Sequence, residues 1–225
     1  KDAPITINGV VYNEMKGAYS SADEVLSNQI YRSLFPDNTY SKDSGGNPVH
    51  IPELTYEKYL DFYHKYYHPS NSYIYLYGDM DIVERLKWLD EEYLSKYDYM
   101  EVDSQIKPQK AFDKVKYVES EYSIASDDPE ENKTYLSYNR VVADSLGQML
   151  YQAFDVLDYA LVSAPGAPVK KALIEAGIGE DVYGSYDAGI LQPVFSIVAK
   201  NANVSDAEKF NEIITDILKE IVKNG

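Results

Sequence analysis

The fold class is indicated most clearly by residues 182–222, VYGSYDAGILQPVFSIVAKNANVSDAEKFNEIITDILKEIV. This stretch begins with two runs of strand-like sequence, residues 182–187 and 191–200, in which β-branched and aromatic residues are frequent. A helix follows, and Ser205 and Glu208 have the spacing of a capping box at its start. Its apolar residues recur at helical spacing: Phe210, Ile213, Ile214, Ile217, Leu218, Ile221 and Val222. Strands followed by an amphipathic helix favour an α+β fold.

The sequence just before this stretch repeats the pattern of strands first and helices second. Residues 115–125 and 134–142 are predicted strands, joined by an acidic turn at residues 127–132. A helical pattern then begins near Asp144 and includes Leu146, Leu150, Phe154, Leu157 and Leu161. Pro165 and Gly166 end it, and a short helix over residues 168–176 follows. Strands in runs and helices in runs indicate α+β rather than a strictly alternating sheet.

The first hundred residues carry clear helix signals. Residues 10–35 have apolar positions at helical spacing and are predicted to form one helix. Thr55 is a plausible N-cap for a helix reaching about Tyr67. Asp81 and Glu84 have the spacing of a capping box for a helix that could reach about Lys96. Between these helices, residues 72–77 alternate tyrosine with apolar residues, which predicts a strand covered on both faces.

Composition excludes several classes of function. The 21 basic and 37 acidic residues give a formal charge of −16, which would repel a nucleic-acid backbone or an anionic membrane. The chain has no cysteine, so thiolate zinc sites and cysteine nucleophiles are excluded. We therefore expect neither nucleic acid nor membrane among its partners.

Two candidate sites have stronger structural explanations than functional ones. His64 and His68 have the spacing of zinc ligands on one helical face, but Lys65 stands where an HExxH peptidase needs its glutamate. A histidine that complements the helix dipole is the favoured interpretation. The acidic turn, with Asp127, Asp128, Glu130 and Glu131, lacks the glycine and terminal glutamate of an EF-hand and is read as a solvated hairpin tip.

Five stretches in the first 80 residues resemble one family. They are GVVYNEMKG at residues 9–17, LFPDNTY at 34–40, SGGNP at 44–48, IPELT at 51–55 and YHPSN at 67–71. Their sequence and order are similar to those of the presequence-protease branch of the insulinase/pitrilysin zinc peptidases. The resemblance implies parts of two LuxS/metallopeptidase-like domains, α+β in class, with antiparallel sheets covered by helices. Residues 1–98 would be the C-terminal half of the first, catalytic domain, residues 99–114 a linker, and residues 115–225 the N-terminal half of a second, inactive domain.

The resemblance also implies a metal ligand. In this family, zinc is held by the two histidines of an inverted H-x-x-E-H motif and by a later glutamate, which Glu14 matches. Val10, Val11 and Met15 flank Glu14 and are expected to pack inward and hold it. No H-x-x-E-H occurs in the 225 residues, so the other ligands and the general base should lie upstream. The chain alone is therefore expected to bind no zinc and to be inactive.

A helix in the second part has two interpretations that the residues leave open. Asp155 and Tyr159 could occupy the histidine positions of a degenerate inverted motif, or belong to an ordinary amphipathic helix. By resemblance, the parent protein is a zinc metalloendopeptidase that degrades short unstructured peptides in a closed chamber. Its expected partners are those peptides and the missing N- and C-terminal parts of the same polypeptide. The alternative is a non-catalytic, peptidase-like subunit that binds peptides or has a structural role.

Overall fold

The computed structural model describes residues 5–142 and 147–224. They form two compact units: one consists mainly of Asn47–Ile106, and the other combines Asn8–Gly46 with the described part of Lys107–Gly225. In chain order, the elements are α1 Val10–Ala18, α2 Ala22–Leu34, α3 Tyr56–Tyr66, α4 Ile82–Glu92, β1 Thr134–Val141, α5 Gln148–Asp158, α6 Pro168–Glu175, β2 Asp181–Asp187, β3 Val194–Ala202 and α7 Ala207–Asn224. Helices with an antiparallel sheet confirm the predicted α+β class.

The sheet has the strand order β1–β3–β2, and both pairings are antiparallel. Ile197 at the middle of β3 lies opposite Tyr138 of β1 and Gly184 of β2. Because β3 is covered on both faces, its first six residues are all buried, as its continuous apolar sequence predicts. The core of this unit consists of Val162, Val169, Leu173, Ile178, Val182, Phe195, Ile197, Ala199, Ala202, Phe210 and Ile214.

The two faces of the sheet are covered by different helices. Helices α6 and α7 contribute Leu173 and Phe210 to the core, and Phe154 of α5 packs against it. These side chains meet the β3 side chains that alternate from Phe195 to Ala199. Helix α2 contacts the side chains that point the other way, including Lys200 at the end of β3. The sheet is therefore the middle layer of this unit.

Both predicted strands outside this sheet are wrong. Residues 72–77 and 115–125 form no described ladder, although the rings of Tyr75 and Tyr77 stack 6.4 Å apart, as side chains two residues apart on an extended chain do. The alternating pattern records which residues share a face, but a strand also needs a partner for its backbone groups. No described segment supplies that partner, and Tyr73, Tyr75 and Tyr77 are exposed.

Most predicted helix boundaries are confirmed within a few residues, with two corrections. The helix predicted over residues 10–35 is interrupted at Tyr19–Ser21, because Ser20 and Ser21 make turn-type backbone bonds instead of continuing α1. The capping box lies two residues earlier than predicted: the Asn203 amide donates to Asp206 Oδ2 at 2.9 Å, at the start of a 3₁₀ turn that leads into α7. The predicted start of the helix at Asp144 and Leu146 lies outside the described residues.

The unit formed mainly by Asn47–Ile106 holds α3 and α4 and has no fully buried side chain among its described residues. Thr55 caps α3 by accepting from the Lys58 amide, and Asp81 caps α4 by accepting from the Val83 and Glu84 amides. Both predicted N-caps are thus confirmed, whereas α4 ends at Glu92 rather than near Lys96. Within the described ranges, no helix is long and apolar enough to cross a bilayer.

Candidate functional site

Glu14, the ligand candidate, lies on an exposed part of α1. The expectation that its neighbours pack inward holds for Met15, which is partly buried, but is wrong for Val10 and Val11, which are 85% and 54% exposed. No described segment covers the face that carries these two valines. Met15 instead packs against Gly45, where a side chain would collide with the Met15 sulfur. Glu14 is thus held by its helix, with its carboxylate in solvent.

Helix α1 is joined to α2 by a tight turn and by side-chain contacts. The Tyr19 amide bonds to the Met15 carbonyl at 2.9 Å, and the Ser21 carbonyl accepts the Val25 amide of α2 at 3.0 Å. Arg32 of α2 reaches back and donates to the Tyr19 hydroxyl at 2.8 Å. Burial is the main cause that raises the pKa of Tyr19, which therefore stays a neutral hydrogen-bond partner at neutral pH. The orientation of α1 is thus coupled to that of α2.

Among the described residues, Glu14 belongs to no group of three possible metal ligands. Across residues 5–142 and 147–224, no three histidine, aspartate or glutamate side chains are grouped closely enough to hold a metal ion. A catalytic zinc site needs three protein ligands and an open position. A single exposed carboxylate on a rigid helix fits the role of one ligand, and the described residues fit no complete site.

His64 and His68 do not share a helical face. Helix α3 ends at Tyr66, so His64 lies in its last turn, while the backbone of His68 is extended. The His68 Nδ1 accepts from the Ser70 amide at 3.2 Å and so caps the next turn, and its ring meets Tyr97 edge-on. The dipole interpretation therefore applies to His64 and is wrong for His68, whose role in capping is nonetheless structural.

The acidic residues 127–132 form a surface turn, as predicted, in which Asp128 pairs with Lys133 at 3.6 Å. The turn is not a hairpin tip, because only the segment after it becomes a strand. Asp155 and Tyr159, at the end of α5, are both exposed. Between them in sequence, Asp158 turns toward the sheet: Ser163 donates to its Oδ2 at 2.9 Å, and its Oδ1 lies against Gly184.

The side-chain contacts that hold α2 against the sheet were not predicted. Lys200 Nζ lies 2.5 Å from Asp23 Oδ1, and this hydrogen bond is the largest cause that raises the pKa of Lys200. Tyr31 donates to the Asp187 carboxylate, and burial followed by this bond raises the pKa of Tyr31. The partners lie far apart in the sequence, so no local pattern connects them.

Comparisons with known proteins identify the family. A profile described as "Peptidase M16 inactive domain" matches residues 53–225. Protein HypA of Clostridium perfringens is 46% identical over 225 residues, which cover 100% of this chain and 23% of that protein. Presequence protease 1, chloroplastic/mitochondrial, of Arabidopsis thaliana is 37% identical over 98% of this chain and 21% of its own length. The mitochondrial presequence protease of Xenopus laevis is 34% identical over 100% of this chain and 22% of its own length.

A solved structure described as an M16-like peptidase from Alicyclobacillus acidocaldarius shares the fold. It superposes with a TM-score of 0.54 at 17% identity, over 96% of this chain and 50% of its own. The chain spans about a fifth of the length of the curated relatives it matches. On the profile match and the similarity over its whole length, the chain belongs to the M16, or insulinase, family of peptidases.

Proposed function

We propose that this chain is part of a zinc metalloendopeptidase that degrades short unstructured peptides inside a closed chamber, with Glu14 as the third zinc ligand. The observation that supports the proposal is similarity over the whole chain, including the helix with Glu14, to proteins named presequence proteases. The exposed position of the Glu14 carboxylate on α1 fits a ligand that meets its metal on the surface of this segment. The partners are then the peptides and the other parts of the same polypeptide.

Zinc, when bound, supplies the Lewis acid for hydrolysis of the peptide bond. The residues of this chain contribute one carboxylate on a helix that the Met15–Gly45 contact and the Arg32–Tyr19 bond hold in place. The remaining ligands and the general base come from the rest of the polypeptide. We therefore propose that this chain alone is inactive and retains no zinc.

The domain assignment is part of the same proposal. Residues 1–98 belong to the second half of a catalytic domain, residues 99–114 to a linker, and residues 115–225 to the first half of an inactive one. The compact units do not follow this division, since one of them combines Asn8–Gly46 with residues after Lys107. A catalytic-domain helix packed on the sheet of the next domain would produce this grouping.

The test uses the full-length protein that contains this chain, as wild type and as Glu14→Gln. We expect the substitution to lower zinc content and cleavage of an unstructured peptide together, because an amide is a weaker zinc ligand than a carboxylate. Glu212→Gln, which changes an exposed glutamate on α7, is the matched control and should leave both quantities unchanged. Full zinc content and full activity in Glu14→Gln would refute the assignment.

A second candidate is a peptidase-like subunit that binds peptides without cutting them. The match to a profile described as an inactive domain favours it. The two candidates differ in the full-length wild type: the peptidase binds zinc and cleaves the peptide, whereas the subunit binds the peptide and leaves it intact. An intact H-x-x-E-H motif elsewhere in the polypeptide would favour the peptidase.

A further inference from the structure

We propose that the three-stranded sheet, acting through α2, positions Glu14 for metal binding. The Asp23–Lys200 and Tyr31–Asp187 contacts would be the positioning contacts. The inference rests on the proposed function, in which Glu14 is a zinc ligand. It assigns a role in the metal site to a sheet within the segment that matches an inactive domain. The supporting contacts all lie within one compact unit.

Helices α1 and α2 are coupled to each other. Three residues separate the two helices, too few for α1 to move independently over any distance. The Arg32–Tyr19 bond spans the turn, and Met15 fills the space that Gly45 leaves open. Any displacement or rotation of α2 therefore moves the Glu14 carboxylate.

Helix α2 is attached to the sheet near both of its ends. Asp23 is in the first turn and pairs with Lys200, while Tyr31 is in the last turn and bonds to Asp187. Asp23 and Tyr31 are eight residues apart, or about 12 Å along a helix axis. Two attachments at this separation fix the direction of the helix as well as its position.

The Lys200 attachment is more than an isolated surface ion pair. Its ammonium lies 5.6 Å from the ring centre of Tyr135 in β1 and 5.2 Å from that of Tyr183 in β2. Lys200 is 26% exposed, so solvent screens its interaction with Asp23 less than in a fully exposed pair. Aromatic faces from both neighbouring strands thus hold the charge where it meets α2.

A third attachment follows the end of α2. The Asp37 amide donates to Gln109 Oε1 at 2.9 Å, and Gln109 Nε2 donates to Asp37 Oδ2 at 2.6 Å. The backbone of Gln109 makes a similar pair of bonds with the side chain of Gln192, at 2.6 and 3.1 Å. Gln109 and Gln192 are both buried, and Gln192 lies two residues before β3. Buried hydrogen bonds of this kind are costly to break, so the exit from α2 is fixed to the sheet as well.

Metal affinity depends on how well the ligands are held before the metal binds. Groups that hydrogen-bond directly to a ligand change metal affinity by roughly 10- to 100-fold when they are removed. The Asp23–Lys200 pair acts on Glu14 through two helices, so we expect a smaller effect, about 3- to 10-fold in the zinc dissociation constant. The effect should appear in zinc affinity even where the fold is retained.

The test measures the zinc dissociation constant of the full-length protein by competition with a chromogenic chelator. Lys200→Met and Asp23→Asn should each weaken zinc binding by about 3- to 10-fold, and the double variant by no more than the larger single effect. Lys200→Arg keeps the charge and can stack on the same tyrosine rings. Its zinc dissociation constant should therefore stay within about twofold of the wild-type value. Lys170→Met is the control, because it removes the charge of a pair that joins α6 to β2, 3.4 Å from Asp181.

Hydrogen exchange of the α1 and α2 amides in the metal-free protein supplies a readout independent of activity. Exchange should be faster in Lys200→Met than in wild type or Lys170→Met, while the α7 amides remain protected. Should Lys200→Met fail to fold, Asp23→Asn tests the same pair from its more exposed side. Wild-type zinc affinity in a folded Lys200→Met or Asp23→Asn would overturn the inference.

Glu14→Gln, measured alongside, separates the two proposals. If it weakens zinc binding and Lys200→Met does not, only the positioning role fails. If neither variant changes zinc affinity, Glu14 is not the ligand and both proposals fail.

Discussion

At Gly184 the sheet lies so close to α5 that there is no room for a side chain. A Cβ at this position would collide with the carboxylate of Asp158, whose Oδ1 is buried without a hydrogen-bond partner among the described residues. We predict that Gly184→Ala lowers the free energy of unfolding by about 1–3 kcal/mol, as overpacking does, measured by urea titration. Gly17→Ala is the control, since nothing lies within 4 Å of the Cβ that it would add. Its free energy of unfolding should rise by about 0.5–1 kcal/mol, because glycine is unfavourable inside a helix. Equal stability of the two variants would contradict the packing at Gly184.

The contribution of Tyr31 to the stability of the folded state should depend on pH. Burial and then the bond to Asp187 raise its pKa above the ordinary value of 10.0, so the folded state favours the protonated hydroxyl. This contribution is fully present below pH 10 and is lost as the pH rises from there toward the folded-state pKa. Tyr31→Phe should therefore be less stable than wild type at pH 8, and the difference should shrink as the pH rises above 10. A difference that stays constant up to pH 11 in denaturant titrations would contradict the account.

At the scale of elements, helix ends could be predicted from the sequence, and strands only in part. Thr55 and Asp81 cap their helices as predicted, because a cap needs only the side chain and the amides that follow it. Residues 72–77 have the pattern of a strand and no described partner, and a partner is not encoded in the segment itself. The prediction of Glu14 rests on its flanking motif, whereas Asp23–Lys200 and Tyr31–Asp187 join residues too far apart in the sequence for any local pattern to predict.

The N-cap of α4 is a single side chain, Asp81, and can be tested by substitution. Asp81 Oδ1 accepts from the Val83 and Glu84 amides at 3.0 and 3.1 Å. Asp81→Ala should destabilise α4 by about 0.5–2 kcal/mol and speed hydrogen exchange of these two amides. Asp79→Ala, which lies before the helix and outside the cap, is the matched control. Unchanged exchange at Val83 and Glu84 in Asp81→Ala would show that the cap contributes nothing.

On the scale of the whole molecule, the proposal gives this chain one zinc ligand, Glu14, and a sheet to which the neighbouring helix α2 is attached. The chain matches about a fifth of the length of its curated relatives, and its described residues hold no group of three possible metal ligands. We therefore expect Glu14 to bind zinc in the full-length protein.

Anomalous diffraction at the zinc absorption edge, on crystals of the full-length protein, locates the metal and identifies its ligands. We predict a zinc peak about 2.0–2.2 Å from a carboxylate oxygen of Glu14, with the remaining ligands from outside this chain. A zinc ion bound entirely by other residues, with Glu14 still facing solvent, would contradict this prediction.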